Sequence, residues 1–243
     1  SFDRVTVASA KSKPIRMARF VTPVVERRSL FKGWKRFEGS WSSSDDGIWT
    51  VAKSHGGKIV WEQYLLGDGE IDVEMKMTDR PDIGGLILRV RDPKVGPNNW
   101  YGYEIGLNAR TRTVFIGDHR HNYLKRAEAK HPVVAGKWHR MRVVMKGAAV
   151  HVYMDGASKP QVSHRFAKPL KSGMVGLRNW GSQLHFRNLK IKRNGETIVA
   201  KFKPEIVQRK QVAPASDLQR ARMRALQSLC LVVLNMNEFV YVD

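Results

Sequence analysis

GKWHRMRVVMKGAAVHVYMDG, residues Gly136–Gly156, is the stretch on which the fold turns. Met141, Val143 and Met145 recur at every second position, and after a break at Gly147 so do Val150, Val152 and Met154. A period of two is the mark of strands that bury one face, and two such runs joined through a glycine make an antiparallel hairpin. Trp138 anchors its first strand, and Asp155-Gly156 closes the second with residues that tolerate positive φ.

The same texture extends in both directions. Short alternating or apolar runs occupy residues 47–53, 58–61, 70–77, 84–90, 100–107 and 113–116, then 138–146, 149–154, 173–178 and 184–192, each bounded by turn residues. Ten short strands without an intervening helical period predict an all-β sandwich or barrel over residues 29–195. Residues 1–28 carry seven basic side chains against two acidic ones and predict an extended basic arm with a short strand at Arg19–Val25. Residues 196–215, with two prolines, read as a linker. Residues 216–243 read as a C-terminal helix and tail, capped by Ser216 or Asp217, with Leu218, Ala225, Leu229 and Val233 at helical spacing.

Composition bounds the function. The formal net charge of +21 predicts an attraction for polyanions, and it is unevenly spread. Residues 38–118 hold nine basic side chains against thirteen acidic ones, whereas residues 119–193 hold seventeen against two. The single cysteine, Cys230, excludes a disulfide framework within the chain and a thiolate metal cluster. No apolar run approaches the ~18 residues of a membrane span. His-Glu-x-x-His, a phosphate loop, a dinucleotide fingerprint and a Gly-x-Ser-x-Gly elbow are all missing from the sequence.

The hairpin at Gly136–Gly156 closely resembles one found throughout the concanavalin A-like and laminin G-like superfamily, which implies a jelly-roll sandwich. FEGSWSSSDDGIWTV, GGLILRV, YGYEIGL and SGMVGLRNWGSQLHFRNLKI resemble, in order over residues 30–193, the domain named for 3-keto-disaccharide hydrolases. That resemblance implies a glycan ligand, met either by a recognition module or by an enzyme that cleaves oxidised glycosides through proton transfer next to the ketone, with Glu74 or Glu104 as the base. The closing LCLVVLNMNEFVYVD resembles the ends of large planctomycete proteins that carry cytochrome c-like modules, which implies export to the periplasm or beyond. No Cys-x-x-Cys-His is present, so no haem is attached covalently.

Several candidate sites follow. Glu70-Ile71-Asp72-Val73-Glu74 resembles the Glu-x-Asp-x-Glu signature of laminarinase- and lichenase-type hydrolases, which implies a nucleophile, a modulating acid and an acid/base. The same alternation also suits a solvated strand face, or a metal or sugar contact. Glu74, Arg89 and Glu104 each alternate outward, and adjacent strands would align them in a row about 4.8 Å apart beside open space left by Gly102 and Gly106. Such a row could bind sugar hydroxyls, or stand as a surface salt-bridge ladder. Trp100 and Trp180, next to turn residues, are candidates for exposed stacking, and Arg91, Tyr103 and Arg178 complete the expected ligand-binding set. His119 and His121, a His-x-His pair beside Asp118, could chelate a metal if a third ligand arrived from elsewhere, or form a solvated basic loop; no strong zinc spacing is present, and a divalent cation such as calcium is the only cofactor suggested. The expected partner is an oligosaccharide or polysaccharide, anionic in view of the charge; nucleic acid is not favoured, and the C-terminal helix offers a face to a protein.

Overall fold

The computed structural model describes residues 33–51, 55–78, 82–181, 183–202 and 222–229. Fifteen strands run in chain order: β1 Trp34–Glu38, β2 Trp41–Ser44, β3 Gly47–Thr50, β4 His55–Leu66, β5 Gly69–Met77, β6 Ile83–Arg91, β7 Tyr101–Asn108, β8 Thr113–Arg120, β9 Tyr123–Lys130, β10 Trp138–Lys146, β11 Ala149–Met154, β12 Val162–Arg165, β13 Gly173–Trp180, β14 Leu184–Arg193 and β15 Glu196–Val199. They form two sheets. The front sheet has the order β1-β4-β13-β6-β7-β8-β9, and the back sheet the order β12-β11-β10-β5-β14-β3-β2, with β15 paired to β14. The strand pairs within both sheets are antiparallel, so the expected jelly-roll sandwich is the observed one.

Between the sheets the inward residues of the alternating runs meet. Ile71, Val73 and Met75 of β5, Met141, Val143 and Met145 of β10 and Ile105 and Leu107 of β7 are all essentially buried. Each such side chain contributes about 1.5–3 kcal/mol. The β10–β11 hairpin has the register its sequence dictates, Met141 facing Met154, Val143 facing Val152 and Met145 facing Val150. Its turn residues Gly147, Asp155 and Gly156 all take positive φ.

One boundary and one strand differ from the sequence expectation. β15 and the buried Ala200 and Phe202 belong to the sandwich, so residues 196–202 are not linker. Phe202 packs 5.6 Å from Trp34, which itself stacks on Trp61, and that contact gives these residues an apolar reason to stay. β9 is not among the expected strands because its inward residues are only the small Ala127 and Ala129, partly buried against the core; it is an edge strand guarded by Lys125, Arg126, Glu128 and Lys130. Residues 222–229 are helical, inside the expected C-terminal helix. The arm 1–28, the strand at 19–25 and the rest of the helix and tail lie outside the described residues. Among those described, no helix is long and apolar enough to cross a membrane.

Candidate functional site

The acidic row of β5 lies on the outer face of the back sheet, between β10 and β14. Both neighbours are rich in cations. Glu70 pairs with Arg142 (3.4 Å) and Lys192 (3.2 Å), Asp72 with Arg140 (2.9 Å), and Glu74 with Arg187 (2.6 Å). Partial burial pushes the Glu74 carboxyl up, but hydrogen bonds from Arg187 and Asn188 outweigh it and hold it below the usual range. A glycosidase acid needs the opposite shift, because it must keep its proton at working pH. The row is an ion-pair ladder, and Glu74 shares no sheet with Glu104.

Arg89 is also displaced from the expected row. Its φ is 51° at a break in the β6–β7 register, and such a bulge rotates a side chain out of strict alternation. The guanidinium turns to the end of the sandwich, where it donates to the carbonyls of Gly67 (3.1 Å), Gly147 (2.9 Å) and Leu170 (2.5 Å) and to Asp68 Oδ1 (3.0 Å). It is buried, its donors are committed to three loops, and it does not line the front-sheet cleft. Arg91 follows at the surface and donates to Ser172 O at 2.7 Å.

Two aromatic expectations change as well. Trp100 is fully buried, stacked 4.0 Å from His119, because residues 92–100 fold down over the front sheet. That loop is pinned by Lys58 Nζ donating to Gly96 O (2.6 Å), by Gly96 N donating to Glu38 Oε2 (3.1 Å) and by Arg178 Nη2 donating to Pro97 O (3.3 Å). Tyr103 points into the core, stacked on Phe166 at 3.9 Å, and its hydroxyl accepts from Leu170 N at 2.7 Å. The two glycines do not leave open space themselves: the rings of Trp100 and Phe115 lie over Gly102 and Gly106, where any Cβ would collide with them. His119 and His121 do not converge on a metal, since the first bonds Glu104 and the second bonds Asn99, while Asp118 pairs with Arg120 and Arg126.

What the fold does bring together is Glu104, Arg178 and Trp180. β13 is inserted between β4 and β6, and in its register Arg178 stands beside Gly85, from which no side chain rises. The guanidinium therefore crosses β6, and Nη1 donates to both carboxylate oxygens of Glu104 at 2.6 Å. From the other side His119 Nε2 lies 2.9 Å from Glu104 Oε2. Burial would raise the Glu104 pKa, but Arg178 and His119 overcome it and bring it down to about 2. Burial lowers His119, against the pull of Glu104, so the ring is neutral near pH 7 and its Nε2–H donates to the carboxylate. Tyr123 is pushed up by burial and by the Glu104 charge.

These groups line a cleft of about 280 Å³ on the outer face of the front sheet, walled by Phe115, Tyr123 and Trp180, with Asn98 and Ile83 at its margins and Glu104 and Arg178 inside. A broader groove of about 560 Å³ crosses the back sheet between Trp49 and Trp138. Its indoles already carry partners: Trp138 holds Arg187 at 4.0 Å and Lys76 at 4.8 Å, and Trp49 stacks with His185. The sequence reading missed Ile83, Asn98, Phe115 and Tyr123 as lining residues. Phe115 and Tyr123 are signalled by the glycines they cover, since Gly106 and Gly117 leave room for one ring each.

Residues 24–192 match the 3-keto-alpha-glucoside-1,2-lyase-like domain. The chain belongs to that family. No curated protein matches the sequence. Among solved structures the carbohydrate binding module CBM66 from Bacillus subtilis is similar, with a TM-score of 0.59 at 19% identity over 68% of this chain and 99% of that one. A protein of unknown function with a galectin-like fold, also from Bacillus subtilis, has a TM-score of 0.55 at 16% identity over 66% and 89% of the two chains. At these identities the likeness is one of fold.

Proposed function

We propose that the protein is a glycan-recognising sandwich module that holds one sugar ring in the front-sheet cleft. The observation that carries this reading is the union of an aromatic wall, Trp180 and Tyr123, with a buried, fully ionised Glu104–Arg178 pair in a cleft of about 280 Å³. Aromatic faces suit the apolar side of a sugar ring, and a pre-oriented carboxylate and guanidinium can meet its hydroxyls without reorganising. The family and the CBM66 module from Bacillus subtilis agree with a glycan as the ligand class. The excess of positive charge over residues 119–193 adds a salt-sensitive attraction for a sulfated or uronic-acid glycan to the salt-resistant contacts of the cleft, and a ligand of that class is in keeping with work outside the cytoplasm.

A second reading, cleavage of 3-keto-glycosides, has the family in its favour. The cleft is less suited to it. A carboxylate with a pKa of about 2 has little appetite for a proton, so Glu104 is a poor base near neutrality. His119, whose Nδ1 has no hydrogen-bond partner among the described residues, is the better base by chemistry, yet it is fully buried and does not line the cleft.

The deciding experiment is a glycan-array screen of the full chain at low and high salt, followed by incubation of the hits with the protein and analysis for products. Salt-resistant binding, weakened about tenfold by Trp180→Ala without loss of fold and yielding no products, is the expected result. Product formation that His119→Gln abolishes would replace recognition by catalysis. Binding lost wholly in high salt and indifferent to Trp180→Ala would reduce the ligand contact to surface charge.

A further inference from the structure

Away from the cleft, three metal-competent side chains meet where the two sheets join. His131 follows β9 at the edge of the front sheet, and its backbone N donates to Arg112 O at 2.9 Å. His139, the second residue of β10, lies on the inward side of the back sheet with Met141 and is 1% exposed. Asp155 follows β11 with φ at 50°, and its Oδ1 accepts from Arg140 N at 2.9 Å, which leaves Oδ2 to face the two rings. Three separate segments thus fix three ligand atoms: His131 Nε2, His139 Nδ1 and Asp155 Oδ2.

Their spacing is the decisive quantity. The atoms are 3.3 Å (His131 to His139), 3.1 Å (His139 to Asp155) and 3.5 Å (His131 to Asp155) apart. A tetrahedral ion with nitrogen and oxygen ligands at about 2.0–2.1 Å has ligand-to-ligand edges of about 3.3–3.4 Å. We propose that His131, His139 and Asp155 form a binding site for one divalent transition-metal ion of the zinc class. Two imidazoles and one carboxylate suit zinc, cobalt or nickel, and the two nitrogens argue against calcium, which takes oxygen ligands. The Asp155 side chain is 35% exposed, so the fourth position opens to water. Bound there, the ion would tie the β9–β10 connection to the turn after β11.

Loading has a cost that supplies its own signature. Val134 N donates to His139 Nε2 at 3.3 Å, so in the metal-free protein the ring proton sits on Nδ1. Coordination through Nδ1 moves that proton to Nε2, and the Val134 bond must open. Val134 is 46% exposed on its loop, where its amide can turn to water.

The test uses the full chain, stripped with a chelator and titrated with Zn²⁺ by calorimetry and with Co²⁺ by visible absorption. One equivalent is expected to bind with the intense band of tetrahedral cobalt. His131→Gln and Asp155→Asn, each retaining shape and polarity, are expected to weaken binding at least tenfold, while Cys230→Ser and His121→Ala leave it unchanged. Amide hydrogen exchange at Val134 is expected to speed up on loading. Calcium binding in place of zinc, no cobalt band, or binding that survives His131→Gln and Asp155→Asn would overturn the proposal and leave a hydrogen-bonded cluster in which both rings donate to Asp155. Because none of these residues lines the cleft, glycan binding and metal binding can fail independently.

Discussion

Replacing Glu104 by Gln keeps the shape of the side chain but removes the only carboxylate within reach of the buried Arg178 guanidinium among the described residues. The magnitude follows from titration. A fall from the ordinary 4.5 to about 2 is worth about 3 kcal/mol of folding free energy at neutral pH, at about 1.4 kcal/mol per unit. That agrees with the ~3–5 kcal/mol expected when one partner of a buried pair is removed and the other is stranded. The sign is fixed by protons: between pH 4.5 and 2 the unfolded chain binds more of them than the folded one, so the contribution is complete above pH 4.5 and vanishes as pH falls through about 2. Urea unfolding at several pH values from 7 to 2 is the assay. Glu104→Gln should lose about 3 kcal/mol at pH 7, about 10 °C in Tm for a sandwich of this size, and its curve should lack the wild-type fall in acid. Adding Arg178→Met to Glu104→Gln should restore more than half of the loss, since the stranded charge goes with it. A loss under about 1 kcal/mol, or a double variant that sums the two single losses, would refute the account of the pair.

Three further outcomes are expected. Arg89→Met strands the carbonyls of Gly67, Gly147 and Leu170 and should cost about 3 kcal/mol or more in urea unfolding; a cost under about 1 kcal/mol would restore Arg89 as a surface residue. Lys58 is held down to about 8, by burial first and by Arg178, against the pull of Glu38. Its unfolded form keeps its proton up to 10.5, so stability should rise as pH climbs from 8 to 10.5, and Lys58→Met should lack that rise when the two profiles are subtracted. Glu70→Gln, on the half-exposed ladder of β5, should cost less than about 1 kcal/mol and leave any glycan signal intact; loss of a hydrolytic activity would reinstate a catalytic row.

The β10–β11 hairpin was legible because the pairing of its two strands is local, and the alternation of Met141, Val143 and Met145 suffices to set its register. The cleft was only half legible. Glu104, Arg178 and Trp180 were each singled out, but the Glu104–Arg178 contact joins residues 74 positions apart and depends on β13 entering between β4 and β6. No alternation pattern encodes that order of strands. Arg89 misled for a different reason: a positive φ at a bulge cancels the parity by which its side chain was placed outward. Trp100 misled because nearness to turn residues suggests exposure, whereas its loop is drawn onto the sheet by the buried ammonium of Lys58.

The uneven charge along the chain acquires a structural meaning once the sheets are assembled. The acid-rich segment supplies β5, and the base-rich segment supplies both of its neighbours, β10 and β14, so Glu70, Asp72 and Glu74 are flanked by Arg140, Arg142, Arg187 and Lys192. The front sheet repeats the scheme with Glu104 from the first segment and Arg178 from the second. An exposed pair of this kind contributes only about 0–1 kcal/mol, so the back-sheet ladder adds little to stability by itself. It does discriminate between registers: a slip of β5 by one residue would send its three carboxylates into the core and Ile71, Val73 and Met75 into water. The front-sheet pair differs because it is buried. There the charge match cannot be screened by salt, and the same low dielectric that makes the pair costly to break keeps a carboxylate and a guanidinium oriented at the bottom of a small aromatic cleft.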